Sequence, residues 1–207
     1  MSEVSPGPSF AEVLAARRMC RDFQDRPIDP DTLERVLRAA FRGPAAGNTD
    51  ALDLLVLRHE HTADYWDVTL PAAQRGGFRW PGLLAAPVLV VPLVRADSYV
   101  ERYAAPDKAR TGLGQAQDAW AVPYWYIDGG AAVMALLLAA EAEGLGALFF
   151  GQFDHEHAVA NRFGVPPDRR ALGTIALGHP APGGRRPSAS ARRTPTDPAT
   201  RIHVERW

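Results

Sequence analysis

Residues 128–154, DGGAAVMALLLAAEAEGLGALFFGQFD, decide how the rest of the chain must fold. Asp128 reads as the cap of a helix over residues 129–143 that is apolar on nearly every side. Such a helix belongs in a core or a subunit interface. Gly144, Leu145 and Gly146 interrupt it, and Ala147–Phe150 follows as a short apolar run of strand type. Asp154 then caps a further short helix with Val159 and Phe163 on its inner side.

Working outward, Ala171–Leu177 reads as the last clear strand. Residues 180–198 are rich in Pro, Gly, Ser and Arg without periodicity, as in an extended arm. Ile202–Trp207 alternates apolar and polar like an edge strand. Upstream, Asp53–Arg58 and Pro87–Val94 are buried strands, and Pro92 argues for an edge or a bulge in the second. Glu60–Leu70 between them is a helix, and Pro71–Pro81 is a glycine-rich loop. Ser9 and Glu12 form a capping box for a first helix that ends near residues 18–21. Asp29-Pro30 starts a second, carried by Leu33, Val36, Leu37 and Ala40 until Gly43-Pro44 stops it. Ala96–Gln117 reads as polar, irregular and mobile. Helices and strands alternate, so the fold class is α+β: a tail over 1–8, one domain over 9–179 and an arm over 180–207.

The totals are those of a globular protein, with 46% hydrophobic and 23% charged residues among 207. A net charge of −1 gives no reason to expect nucleic acid or an anionic membrane as partner. Lys108 is the single lysine among 23 basic residues. The arginines that remain suit phosphate and carboxylate ligands. Cys20 stands alone, which excludes an intramolecular disulfide and a cysteine zinc site. Met1–Pro8 lacks the marks of a signal peptide, and the apolar run Ala131–Ala140 is too short to span a bilayer. The expectation is cytoplasmic.

Arg17, Arg18 and Arg21 form the first constellation. On a helix Arg17 and Arg21 lie one turn apart on one face. Three guanidinium groups within five residues repel unless an anion or solvent lies among them, and a solvated helix end is the plain alternative.

Three separated segments give this cluster a context. Arg17-Arg18-Met19-Cys20-Arg21-Asp22-Phe23, the loop Pro44-Ala45-Ala46-Gly47-Asn48-Thr49, and the run Gly144–Asp154 resemble the FMN-dependent nitroreductase family in order and spacing. Leu177-Gly178-His179-Pro180 and Arg193-Thr194-Pro195 resemble its C-terminal motifs. The resemblance covers nearly the whole chain from Phe10. It implies a sandwich with a central, mainly antiparallel sheet flanked by helices, in an intertwined homodimer. It also implies bound FMN reduced by NAD(P)H, and a ping-pong transfer to a nitroaromatic, quinone or similar conjugated acceptor.

Carried over by position, Arg17, Arg18 and Met19 fall at the FMN phosphate and ribityl chain, with Arg193 closing from the arm. Arg21 falls at the flavin N1–C2=O edge, where a fixed cation favours the reduced ring. Pro44, Ala45, Ala46 and Asn48 border the ring. Phe150, Gly151 and Gln152 form the cofactor loop, with the Gly151 N–H toward N5. No protein acid or base is required. The chain departs from the family pattern in Met19 for serine, Asp50-Ala51-Leu52 for Gln-Pro-Trp, Gln152 for glycine and Ala191 for a basic residue. Two other readings stay open: a specialised flavin enzyme of cofactor or natural-product metabolism, and a flavin-binding protein without turnover.

Trp120, Tyr124, Trp125 and Tyr126 either roof a substrate pocket or pack in the core or across the dimer. Tyr99 and Tyr103 are weaker lid candidates. The His59/His61 and His155/His157 pairs read as solvated surface, since i, i+2 histidines diverge on a helix. No metal is expected. Cys20 reads as packing rather than as a reactive thiol.

Overall fold

The computed structural model describes residues 7–185 and 193–207. Among them are seven helices and five strands. The strands are β1 (Leu52–Arg58), β2 (Val88–Val94), β3 (Gly146–Phe150), β4 (Arg170–Ala171) and β5 (Thr174–Gly178). They form one sheet in the order β1-β2-β5-β3, with β4 also on β2, and every pairing is antiparallel.

Helices α1 (Phe10–Ala16), α2 (Pro30–Ala39), α3 (Glu60–Thr69), α4 (Ala72–Arg75), α5 (Ala96–Tyr103), α6 (Tyr124–Ala142) and α7 (Glu156–Phe163) flank it. Strand alternation assigns the layers. Val88, Val90, Ile175 and Leu177 pack with Leu33 and Val36 of α2 and with Leu136 and Leu137 of α6. Leu89, Val91 and Ala176 face the other way, onto Tyr65 and Trp66 of α3 and Val159 of α7. Both sheet faces are thus covered, which is why β2 reads as an unbroken apolar run. The sandwich expected from the sequence is the sandwich found.

Local signals hold where a side chain closes its own helix. Ser9 and Glu12 satisfy each other at the start of α1, and Asp29 accepts from the Thr32 N–H at 2.9 Å at the start of α2. Other expectations are corrected. Strand β2 is central, not an edge. Pro92, which has no N–H to give, falls where β2 passes from β5 to β4, and its carbonyl accepts from Leu172 at 2.9 Å. The strand expected over 171–177 is split at the same place, with Gly173 at φ +139°. Helix α6 begins at Tyr124, so Asp128 is inside the helix and caps nothing. Asp154 likewise lies in a 3₁₀ turn before α7 and makes no cap. The segment from residue 96 opens with α5, anchored by the buried Tyr99, in place of an irregular stretch. Residues 202–207 form no strand and are exposed.

Helix α6 is long and apolar enough to cross a membrane by length and composition. Val133, Leu136, Leu137 and Ala140 are nevertheless buried in the protein core, as in the central helix of a sandwich.

Candidate functional site

The arginine segment is not helical. Arg17 ends α1 at φ −53°, ψ 120°, and the chain then runs extended beside β3, which would otherwise leave an open edge. Met19 pairs with Ala147, and the Cys20 N–H donates to the Ala147 carbonyl at 2.8 Å. The Arg21 N–H donates to Gly184 at 2.9 Å. Residues 17 and 21 are therefore separated by extended chain rather than by one helical turn. Cys20 and Phe23 are the buried anchors. The Cys20 Sγ–H donates to the Asp22 carbonyl at 3.2 Å, and burial pushes the thiol up from its ordinary range, as expected of a packing residue.

The arginines differ in environment. Arg17 is half-buried, and its Nη1 is closed to solvent with no hydrogen-bond partner among the described residues. Arg18 is exposed and turns its Nη1 back to the carbonyls of Ala15 and Arg17, each at 2.8 Å. Arg21 is part-buried and stands 5.8 Å over the Trp80 ring.

Arg21 lines a cavity of about 320 Å³ together with Phe150, Gly151 and Gln152. Its walls are aromatic: Trp66, Phe78, Trp80 and Phe153 also line it. Trp66 stacks on Phe150 with ring centroids 5.9 Å apart and 9° between planes. Phe153 takes φ +47°, a strained value for a bulky residue, with its ring beside Gly151. A Cβ on residue 151 would lie 3.0 Å from that ring, so glycine makes the approach possible.

Behind the loop, the Gln152 Nε2 donates to the Thr174 hydroxyl at 3.0 Å, and Thr174 shares a hydrogen bond with the Tyr65 hydroxyl at 2.8 Å. All three side chains are buried. Burial pushes the Tyr65 phenol up to about 12. Gln152 Oε1 and Trp66 Nε1 have no partner among the described residues.

Pro44, Ala45 and Asn48 lie elsewhere, on a separate cavity of about 340 Å³ that shares no residue with the first. Their loop turns through Gly47 at φ +67° and Asn48 at φ +54°. Asp128 of α6 accepts the Ala46 N–H at 2.7 Å, and Arg102 of α5 donates to the Gly47 carbonyl at 2.9 Å. Within the chain the two halves of the expected cofactor site line separate cavities. Arg193 is exposed, while Ala191 and Arg192 lie outside the described residues.

Of the aromatic cluster, Trp120 and Trp125 are buried against Tyr99, and Trp120 donates its indole N–H to Leu113 at 2.9 Å. These two take the packing alternative; Tyr124 stays exposed. Among the described residues no group of His, Cys, Asp or Glu could hold a metal. The cavity's own aromatics, Trp66, Phe78 and Trp80, carried no local signal. They sit in a helix and a loop between 71 and 85 residues before Gly151, and the fold brings them together.

Comparison with known proteins identifies the family. Residues 14–179 match the family model described as Nitroreductase family. A Thermus thermophilus protein named NADH dehydrogenase is 29% identical over 183 residues, covering 80% of this chain and 83% of its own. An Archaeoglobus fulgidus protein, named provisionally an NADH dehydrogenase/NAD(P)H nitroreductase, is 27% identical over 201 residues, covering 95% and 97%. In fold, a nitroreductase family protein from Streptococcus pneumoniae superposes with a TM-score of 0.73 at 18% identity, covering 96% of this chain and all of that one. This chain belongs to the nitroreductase family and is an oxidoreductase of that family.

Proposed function

We propose that the protein is a homodimeric FMN enzyme that takes electrons from NAD(P)H and passes them to a nitroaromatic, quinone or similar conjugated acceptor in a ping-pong cycle. One observation carries this reading: Arg21, Phe150, Gly151 and Gln152, which the family resemblance assigns to the cofactor, line one cavity whose walls include Trp66, Phe78 and Trp80. Arg17, on the same extended segment as Arg21, keeps a guanidinium nitrogen without a partner among the described residues. The residues present fit FMN.

Bound FMN would supply the two-electron carrier between hydride donor and acceptor. Arg17 would hold the phosphoryl end, as a permanent cation part-withdrawn from solvent. Met19 adds no hydroxyl there. Arg21 would set a fixed positive charge at the pyrimidine end, favouring the reduced state. Gly151 would bring main chain close to the ring, and the aromatic walls exclude water around it. The Pro44–Asn48 loop and the arm with Arg193 would reach the site from the second copy.

Helix α6 supports that second copy. It is apolar all round, yet Ile127 and Met134 are exposed, as are Phe10 and Leu14 of the adjoining α1. We place the enzyme in the cytoplasm, where NAD(P)H is available, with residues 9–179 as its single domain and residues 180–207 as the arm exchanged between protomers.

The test is the absorption spectrum of purified protein before and after anaerobic NAD(P)H. Flavin bands that bleach on addition are expected. Bound flavin that NAD(P)H leaves oxidised would favour the specialised or non-catalytic readings, and protein that takes up no FMN overturns the proposal.

A further inference from the structure

Several rings on the Arg21–Gly151 cavity are engaged with one another. Trp66 stacks on Phe150 at 5.9 Å, and Phe78 stands edge-on to Trp80 at 6.2 Å. Phe153 lines the same cavity but is 86% exposed, and it stacks on no other ring among the described residues. Its backbone is at φ +47°, where a β-carbon crowds the chain and glycine or asparagine is the usual residue. Burial does not offset that strain, because the side chain is in water.

What the conformation achieves is placement. Three atoms of the ring lie between 3.0 and 3.2 Å from the Cβ position of Gly151. Gln152, between the two residues, is buried and tied through Nε2 to Thr174 at 3.0 Å, so the ring is held from behind. A ligand within hydrogen-bond reach of the Gly151 main chain is therefore in contact range of the Phe153 ring. Strain of this kind persists where a site needs the placement.

We propose that Phe153 is a specificity-determining residue for the electron acceptor, an open aromatic platform on which a planar conjugated acceptor stacks beside Gly151. This rests on the FMN reading above and names what the site selects: flat π-systems over acceptors that cannot stack. Ring against ring contributes more than apolar burial alone.

The experiment follows reoxidation of FMN-loaded protein, reduced with stoichiometric dithionite, by stopped-flow absorbance. Two acceptors are compared: 2-methyl-1,4-naphthoquinone, which is planar, and ferricyanide, an octahedral ion with no face to stack. The quinone takes two electrons and two protons from one reduced flavin and becomes the hydroquinone. Two ferricyanide ions take one electron each, and the two flavin protons go to water. The quantity read is the ratio of the second-order rate constants, quinone to ferricyanide.

Phe153→Leu, apolar but without a π face, should lower the ratio about fivefold, the size of one aromatic pair. Phe153→Tyr, which keeps the ring, should keep the wild-type ratio. Phe153→Gly should lower the ratio as Leu does, while its melting midpoint rises by about 2–4 °C as the strain is released. All three variants leave the charge of the site unchanged, so the attraction of ferricyanide to nearby arginines cancels in the comparison.

An unchanged ratio in Phe153→Leu overturns the proposal, and is the result to be seen if a second copy of the chain covers the ring. A tyrosine variant that loses the preference overturns it too. So does a glycine variant that melts lower, since the ring would then serve the fold. Protein that takes up no FMN removes the FMN reading instead, and does so before any variant is made.

Discussion

Asp128 holds Ala46 across 82 residues of sequence: its Oδ2 accepts the Ala46 N–H at 2.7 Å and the Tyr99 hydroxyl at 2.8 Å. One carboxylate oxygen thus ties the Pro44–Asn48 loop to α5 and α6. Asp128→Ala leaves both donors without an acceptor in a part-buried place. A buried donor left unsatisfied costs about 1–3 kcal/mol, so the variant should lose about 2–4 kcal/mol in urea denaturation. Asp128→Asn, which keeps an acceptor oxygen, should lose less. An unchanged midpoint for the alanine variant would mean that water replaces the carboxylate without loss.

Gly47 is constrained twice. It sits at φ +67°, and a Cβ there would lie 2.7 Å from the Tyr103 ring. Gly144 has a similar φ of +73° with nothing within 4 Å of its Cβ position. Gly144→Ala should therefore cost about 1 kcal/mol from strain alone. Gly47→Ala should cost measurably more, because the ring or the loop must also move. Thermal melts of the two variants compare them directly, and equal losses would show that Tyr103 yields freely.

The fold was readable from the sequence because its signals are local. The Ser9–Glu12 box, the Asp29-Pro30 start and the apolar runs of β1 and β2 each declare themselves within a few residues. The arginine segment reads as helix in the sequence because its backbone partners, Ala147 and Gly184, lie more than a hundred residues away. Asp128 looked like a cap for the same reason: its true partners, Ala46 and Tyr99, are distant. Of the candidate site, the sequence already grouped Arg21 with Phe150, Gly151 and Gln152, and these four line one cavity. Its aromatic walls were not legible, and Trp120 and Trp125, open between pocket roof and core packing, are buried in the core.

Tyr65 provides a pH test. Its folded-state phenol is raised to about 12 by burial, against about 10 in the unfolded chain. The protonated form is favoured by folding, so this contribution is complete below pH 10 and is lost as pH rises from 10 through 12. Its full size is roughly 2–3 kcal/mol. Tyr65→Phe lacks the ionisation, so its stability should fall less steeply across that window. Denaturation at pH 9, 10 and 11 reads the slopes; parallel curves would place the phenol in contact with water.

Ile127 and Met134 are 50% and 37% exposed on a helix whose Val133, Leu136, Leu137 and Ala140 are buried in the core. If a second copy covers them, Ile127→Asp buries an unpaired charge, which is strongly unfavourable in an interface. The dimer dissociation constant should rise at least about a hundredfold, or about 3 kcal/mol. Sedimentation equilibrium measures it. Wild type that is monomeric at micromolar concentration removes the covered face.

Arg17 and Arg18 are adjacent in sequence but should differ in effect on FMN binding. Arg18 already spends one Nη1 on two carbonyls of its own segment and is exposed to water. Its replacement by alanine removes a solvated charge, worth about 0–1 kcal/mol to a nearby anion. Arg17 keeps Nη1 closed to solvent and without a partner among the described residues. A phosphoryl oxygen there would gain a charge-assisted bond of about 1.5–3 kcal/mol. Arg17→Ala should therefore raise the FMN dissociation constant by about 10- to 150-fold, and Arg18→Ala by no more than about fivefold. Fluorescence titration of both variants supplies the ratio. Equal effects would mean that the phosphate is held by the segment's net charge; the reverse order would put it on the Arg18 side of the extended strand.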